Sequence, residues 1–159
     1  ADNILAIKWI NNISIKSDYK NTIRISLEEE VPLGVYYNNK QEILFSNNLI
    51  VLEILDTKKK FSGLLKFYGK NSILNSKALL LDLGNNFKDN IESAIFIEGR
   101  RWNLKLNNQI LLKLPQDNIK KAILKYKMIY NNFSDKELKD IQSIDLRILN
   151  QAIIKYQDK

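Results

Sequence analysis

The apolar positions along the chain fall into short alternating runs broken by two helical stretches. Trp9, Ile10, Ile13 and Ile15 form a mixed apolar and polar, β-branched run that predicts a strand. Ser17-Asp18-Tyr19-Lys20-Asn21 reads as a polar turn. From Thr22 to Glu30 the alternation is clean, with Ile23, Ile25 and Leu27 on one face and Arg24, Ser26 and Glu28 on the other. That pattern predicts a half-buried antiparallel strand, and the two runs together a hairpin. Pro32 cannot donate to a ladder, so pairing breaks there and the position is the best candidate domain boundary. Val35-Tyr36-Tyr37 and Ile43-Leu44-Phe45 predict two more short strands around Asn38-Asn39-Lys40. Residues 47–70 show no clear period: Leu49 to Leu55 fits a strand or a buried segment, and Lys58-Lys59-Lys60 a solvated loop.

Downstream, Ser72 to Leu83 predicts a helix. Leu74, Ala78 and Leu81 lie at helical spacing, and Gly84 is placed to end the helix in the left-handed conformation. Glu92 to Glu98 reads as a strand. Trp102 to Leu106 alternates, Asn107-Asn108 signals a turn, and Ile110 to Leu114 returns up to Pro115. Asp117 or Asn118 can cap a helix whose apolar stripe is Ile119, Ile123, Tyr126, Tyr130 and Phe133. Lys120, Lys121, Lys125 and Lys127 lie off that stripe. Ser134-Asp135-Lys136-Glu137 has capping-box spacing and predicts a short helix to about Ile141. A long strand from about Ser143 to Tyr156 closes the chain. The fold class is α+β: a hairpin followed by a mostly antiparallel β domain with two or three helices.

Composition narrows the chemistry. The 159 residues include no Cys and no His, which excludes disulfides, thiol nucleophiles, Cys/His zinc sites and a Ser-His-Asp triad. The formal charge of +7 is mostly lysine, and Ile, Lys and Asn are so frequent that A/T-rich codon usage explains much of it. Its distribution is more telling. Residues 1–99 carry 12 basic and 12 acidic side chains, whereas residues 100–159 carry 13 and 6, so the whole excess lies in the last sixty positions. No run of about 18 apolar residues predicts a transmembrane helix, and Ala1-Asp2-Asn3 does not open a signal peptide. Glu28-Glu29-Glu30 superficially suggests paired carboxylates. Only Glu28 and Glu30 share a strand face, and with no His or Asp-x-Asp loop beside them they read as a solvated strand end.

Three stretches carry a resemblance to a known family. Asn21-Thr22-Ile23-Arg24-Ile25-Ser26-Leu27-Glu28-Glu29-Glu30-Val31-Pro32 looks like N-T-L-x-I-x-V-x-E-x-x-P. Arg100-Arg101-Trp102-Asn103-Leu104-Lys105-Leu106-Asn107-Asn108-Gln109-Ile110, followed by Lys113-Leu114-Pro115, looks like an R-R-W-x-L-x-L-x-N-G-I hairpin with K-L-P after it. Ile144-Asp145-Leu146-Arg147 with Ala152, Ile154 and Tyr156 looks like a terminal I-D-L-R-Y-x-x-G-x-A-V-x-W strand. Leu64-Leu65 and Gly69 add a weaker match. In this order, over about 130 residues, the motifs resemble the periplasmic region of the FtsQ/DivIB bacterial cell-division proteins, and the K-L-P form is similar to alphaproteobacterial members. The segment Asn3 to Ile10 resembles the flanks of a helix of the family's POTRA domain with that helix missing.

The resemblance implies residues 1–31 as part of a POTRA domain and residues 32–159 as the family's β domain. It implies a non-enzymatic, bitopic inner-membrane scaffold that needs no cofactor, whose periplasmic C-terminal strand binds FtsB (DivIC) together with FtsL. On this chain the implied partner-binding residues are Arg147, Ile148, Leu149, Asn150, Gln151, Ala152, Ile153, Ile154 and Tyr156, with Arg100 as a second contact. Ile148, Gln151 and Tyr156 stand where the family has Tyr, Gly and Trp. It also singles out Glu29 as the acidic position before the Pro. The residues themselves support strand addition: Gln151 to Tyr156 has no Pro and one charge, which suits an edge that accepts another strand. Arg147 could hold a partner carboxylate or pair within the chain, for instance with Asp145. Arg100 and Arg101 are adjacent on a strand and should face opposite sides. Trp102 reads as core or rim packing. Two other readings fit parts of the pattern: a POTRA-like polypeptide-binding module of an export or outer-membrane assembly protein, and a basic nucleic-acid-binding domain.

Overall fold

Strands Ile10–Ser17 (β1) and Ile23–Glu29 (β2) pair antiparallel, with Ile13 opposite Leu27 and Ile15 opposite Ile25. Asp18 makes the turn, its carboxylate accepting the N–H groups of Asn21 and Thr22 at 3.1 and 3.0 Å. This computed structural model describes residues 7–19, 21–38, 41–55, 61, 63–148 and 150–157. Lys58-Lys59-Lys60, Leu149 and Asn3 to Ala6 therefore lie outside the described residues. The expected half-burial of β2 is corrected: Ile23, Ile25 and Leu27 are 68%, 53% and 50% exposed, because neither core cluster of the main sheet includes a residue of these two strands.

The remaining strands form one nine-stranded mixed sheet. They are Pro32–Tyr37 (β3), Glu42–Ser46 (β4), Val51–Leu55 (β5), Leu65–Tyr68 (β6), Ile91–Ile97 (β7), Arg101–Leu106 (β8), Leu111–Lys113 (β9), Ile141–Asp145 (β10) and Ile153–Tyr156 (β11). Their order is β11-β10-β9-β8-β7-β6-β3-β4-β5. Five of the eight pairings are antiparallel; β3–β6, β6–β7 and β9–β10 are parallel. The last two need crossovers, and helices supply them. Ser72–Leu83 (α1) and Asn85–Lys88 (α2) connect β6 to β7. Ile119–Tyr130 (α3) and Asp135–Asp140 (α4) connect β9 to β10.

The core lies between one sheet face and these helices. Phe45, Phe67, Ala94, Trp102, Leu104, Leu112 and Ile144 point into it from the strands, and Leu79, Leu83, Phe87, Ile119, Ile123, Tyr126 and Leu138 from the helices. Trp102 is core. The stripe of α3 packs as its spacing predicts, with Tyr130 and Phe133 half-buried at its end. The capping box is present: Ser134 Oγ accepts Glu137 N–H and Glu137 receives Ser134 N–H at 2.9 Å.

Several expectations are corrected. Four helices are present among the described residues, and β6, four residues long, emerges from the stretch without a period. On α1 the buried residues are Ser72, Ser76, Leu79 and Leu83, while Leu74 and Leu81 are 67% and 70% exposed and Ala78 also faces solvent. Two small serines are buried on this face; Ser76 Oγ donates to Ile73 O at 2.7 Å, while Ser72 Oγ has no hydrogen-bond partner among the described residues. Gly84 ends the helix at positive φ, 71°, but its ψ of 161° puts it in the glycine-only region outside the left-handed helical well. Asn118 precedes α3 in the left-handed conformation, and its side chain makes no cap bond. Pro32 opens β3 opposite Ser46, a position that asks no N–H of it, with a bulge before Gly34.

Glu30 also departs from its reading as a solvated strand end. It is 4% exposed, its carboxylate accepts Asn48 Nδ2 at 3.0 Å, and its N–H donates to Trp9 O at 2.9 Å. Trp9 packs on the second cluster, Val35, Leu44, Leu52 and Leu55, on the far side of the sheet. The hairpin is thereby clamped to the β4–β5 turn.

Candidate functional site

The expected single strand from Ser143 to Tyr156 is in fact two strands, β10 and β11, which fold back antiparallel with Asp145 opposite Ile153. The break has a local cause. Asp145 Oδ1 accepts Arg147 N–H at 3.0 Å, and Arg147 Nε and Nη2 grip the same carboxylate at 2.9 and 2.5 Å. This side-chain turn lifts the chain out of the sheet after Leu146, whose own N–H still reaches Lys113 O at 2.9 Å. β11 returns as the outermost strand, and among the described residues it is paired on one side only.

The expected site residues distribute as follows. Ile148, Asn150 and Gln151 are exposed on the connecting segment. Ile153 and Tyr156 are 54% and 49% exposed on β11, whereas Ala152 and Ile154 are half-buried and pack against the main core. Arg147 is exposed but occupied by Asp145. Arg100 lies in the β7–β8 turn, 2.9 Å from Glu98. The expectation that Arg100 and Arg101 diverge is corrected: Arg101 also reaches Glu98, at 3.3 Å, because Arg100 is still in the turn and only Arg101 begins β8. Glu98 and Gly99 both have positive φ, 51° and 69°, which turns the acid back over the two guanidinium groups.

Glu98 is thus a hub that residue types alone did not single out; the run Glu98-Gly99-Arg100-Arg101 was its only signal. The hydrogen bond from Arg100, then the charge of Arg101, holds its carboxyl below the usual range, and Arg147 adds to the effect from across the sheet end. The hydrogen bond from Arg147 likewise holds Asp145 down, and that same bond raises Arg147. Three of the four arginines therefore gather with two carboxylates at one end of the sheet, next to where β11 begins.

A pH dependence follows. Asp145 ionises at lower pH in the folded chain than in the unfolded one, whose carboxyl titrates near 4. The stabilisation from the pair is complete above that unfolded value and is lost as pH falls through the lower folded value. Urea unfolding of the natural chain and Asp145→Asn should therefore differ at pH 7 and converge toward pH 2. A stability gap that is constant over this range would contradict the assignment.

On the helix side, burial pushes Tyr126 up to about 12, despite a hydrogen bond with Asn108. Its ring stands edge-on to Phe87 at 5.6 Å, a packing role.

Residues 34–147 match the family described as cell division protein FtsQ/DivIB, C-terminal. The chain belongs to the FtsQ/DivIB family. Proteins named cell division protein FtsQ match nearly the whole of this chain. One from Rhizobium radiobacter is 24% identical over 95% of this chain and 72% of its own. One from Agrobacterium fabrum is 24% identical over 95% of this chain but 48% of its own length. A Rickettsia prowazekii protein is 28% identical over 97% and 57%. The chain spans about half the length of the Agrobacterium relative. FtsQ/DivIB membership makes this chain part of a cell-division protein, and the alphaproteobacterial relatives agree with the Lys113-Leu114-Pro115 form. The family match stops at Arg147, so β11 lies beyond it. No helix among the described residues is long and apolar enough to cross a membrane.

Proposed function

We propose that this chain is the periplasmic, partner-binding part of an inner-membrane division scaffold. In this reading residues 1–31 end a POTRA domain and residues 32–159 form the β domain. The scaffold has no catalytic role: it takes a strand of FtsB (DivIC), in a complex with FtsL, at β11. The observation that carries the reading is β11 itself, an outermost strand with one charge, no Pro, and exposed Ile153 and Tyr156. Strand addition draws affinity from backbone groups and specificity from alternate side chains. The basic excess of residues 100–159 would speed encounter with an acidic segment.

The geometry also selects the test. Gln157 N–H donates inward to Asp140 O at 2.8 Å, so by strand alternation the N–H groups of Tyr156 and Ile154 turn outward. A Pro at position 156 deletes one outward donor and spares the bonds to β10. Tyr156→Pro should bind the extracytoplasmic segment of the FtsB protein of the same genome at least tenfold more weakly than Tyr156→Ala, with both variants folded by circular dichroism. Equal affinities would remove strand addition at β11 as the binding mode. Ala152 and Ile153 are poorer test positions: the first packs on the core, and the N–H of the second turns inward.

A further inference from the structure

A cavity of about 260 Å³ lies between the first half of α3 and the segment joining β10 to β11. Lys121 and Lys125, one helical turn apart, line it together with Ala122, Leu146 and Asn150. Lys125 Nζ is shielded from solvent and has no hydrogen-bond partner. Neither lysine forms an ion pair with a described residue; Asp117 also lines the cavity without pairing to either. A shielded ammonium without an acceptor is costly, and like charges four residues apart on a helix repel. An entering anion would offset both costs, against the charge of Asp117 on the same wall.

We propose that this cavity receives the carboxylate of an Asp or Glu side chain from the partner segment that adds to β11. The inference rests on the strand-addition reading and deepens it. Leu146 follows β10 and Asn150 precedes β11, so the cavity lies at the end of the sheet where β11 begins and within side-chain range of a strand added there. Its walls favour a side chain over a free inorganic anion: Pro115, Ala122 and Leu146 accept the methylenes of an acidic residue, and the two ammonium groups its oxygens.

The test uses the whole chain and the extracytoplasmic segment of the FtsB protein of the same genome. Lys125→Met and Lys125→Gln should each raise the melting temperature of the free chain, because an orphaned charge is removed. They should also weaken binding about tenfold. One acid-to-amide variant of the segment should weaken binding to the natural chain equally and lose nothing further against Lys125→Met. Unchanged binding by both Lys125 variants, while Tyr156→Pro loses the segment, would overturn the cavity assignment and leave strand addition standing. If Tyr156→Pro also binds normally, both readings fall. Millimolar inorganic phosphate is the remaining arm. If it stabilises the natural chain and not Lys125→Met, while the segment binds both alike, the cavity is a free-anion site and the proposal is wrong.

Discussion

Alanine at Gly69 should destabilise the chain by about 4 kcal/mol or more, among the largest effects a single methyl can have. Gly69 follows β6 with φ +94°, and a Cβ there would sit 2.2 Å from Phe96 O and 3.1 Å from Phe96 C. The neighbour is backbone of the adjacent parallel strand β7, so no rotamer change relieves the contact. Either β6 and β7 separate at this end or the turn into α1 changes course. With a total stability of about 5–15 kcal/mol for an ordinary domain, little would remain. Gly63 and Gly99 supply the control. Their φ values, +91° and +69°, are also positive, but nothing lies within 4 Å of a Cβ. Alanine there should cost about 1 kcal/mol, from backbone conformation alone. Urea unfolding of the three variants separates the terms, and a Gly69→Ala midpoint close to that of Gly99→Ala would show the close approach to be harmless.

Phe67→Ala should cost about 3–5 kcal/mol. Phe67 is fully buried at the centre of the sheet. It stands edge-on to Phe45 at 5.4 Å and to Trp102 at 6.0 Å, and Trp102 in turn packs on Phe96 at 4.6 Å. Removing the ring leaves a cavity that four strands border. Gly34 on β3 is the matching partner: a Cβ there would lie 2.5 Å from Phe67 Cε2 and 2.8 Å from Leu65 O. Gly34→Ala alone should therefore be strongly destabilising. In the Phe67→Ala background its cost should fall by about 1 kcal/mol or more, because only the carbonyl contact remains. Additive losses in a double-mutant cycle would mean that the two positions do not share the space.

The sequence is readable where structure is local or periodic. Trp102, Leu104 and Leu106 alternate because β8 is half-buried, and Ser134 with Glu137 satisfies the amides of a helix start within four residues. It is misleading where tertiary contacts decide. Leu74, Ala78 and Leu81 form a good helical stripe, yet α1 buries its other side, with Ser72, Ser76, Leu79 and Leu83. β2 alternates like a half-buried strand although its apolar face stays exposed. β6 is too short to show a period. The break between β10 and β11 contains no Gly or Pro; Asp145 and Arg147 make it with side chains. Their pairing was one of two alternatives legible from a spacing of two. The convergence of Arg100 and Arg101 on Glu98, and the bare ammonium of Lys125, depend on turn and helix placement that no residue pattern encodes.

The strand order also has a consequence in time. β11 has β10 as its neighbour, and β10 joins the sheet by lying parallel to β9. That pairing cannot form until the segment from Lys113 to Ile141 has closed its loop through α3 and α4, and such non-local closures are the slow part of folding. The edge strand therefore depends on that closure: β11 has a template only where α3 and α4 have brought β10 against β9. A chain that has not closed this loop presents no β10 to hold β11. A partner strand added to β11, as proposed above, would meet its surface only on chains in which this crossover has closed.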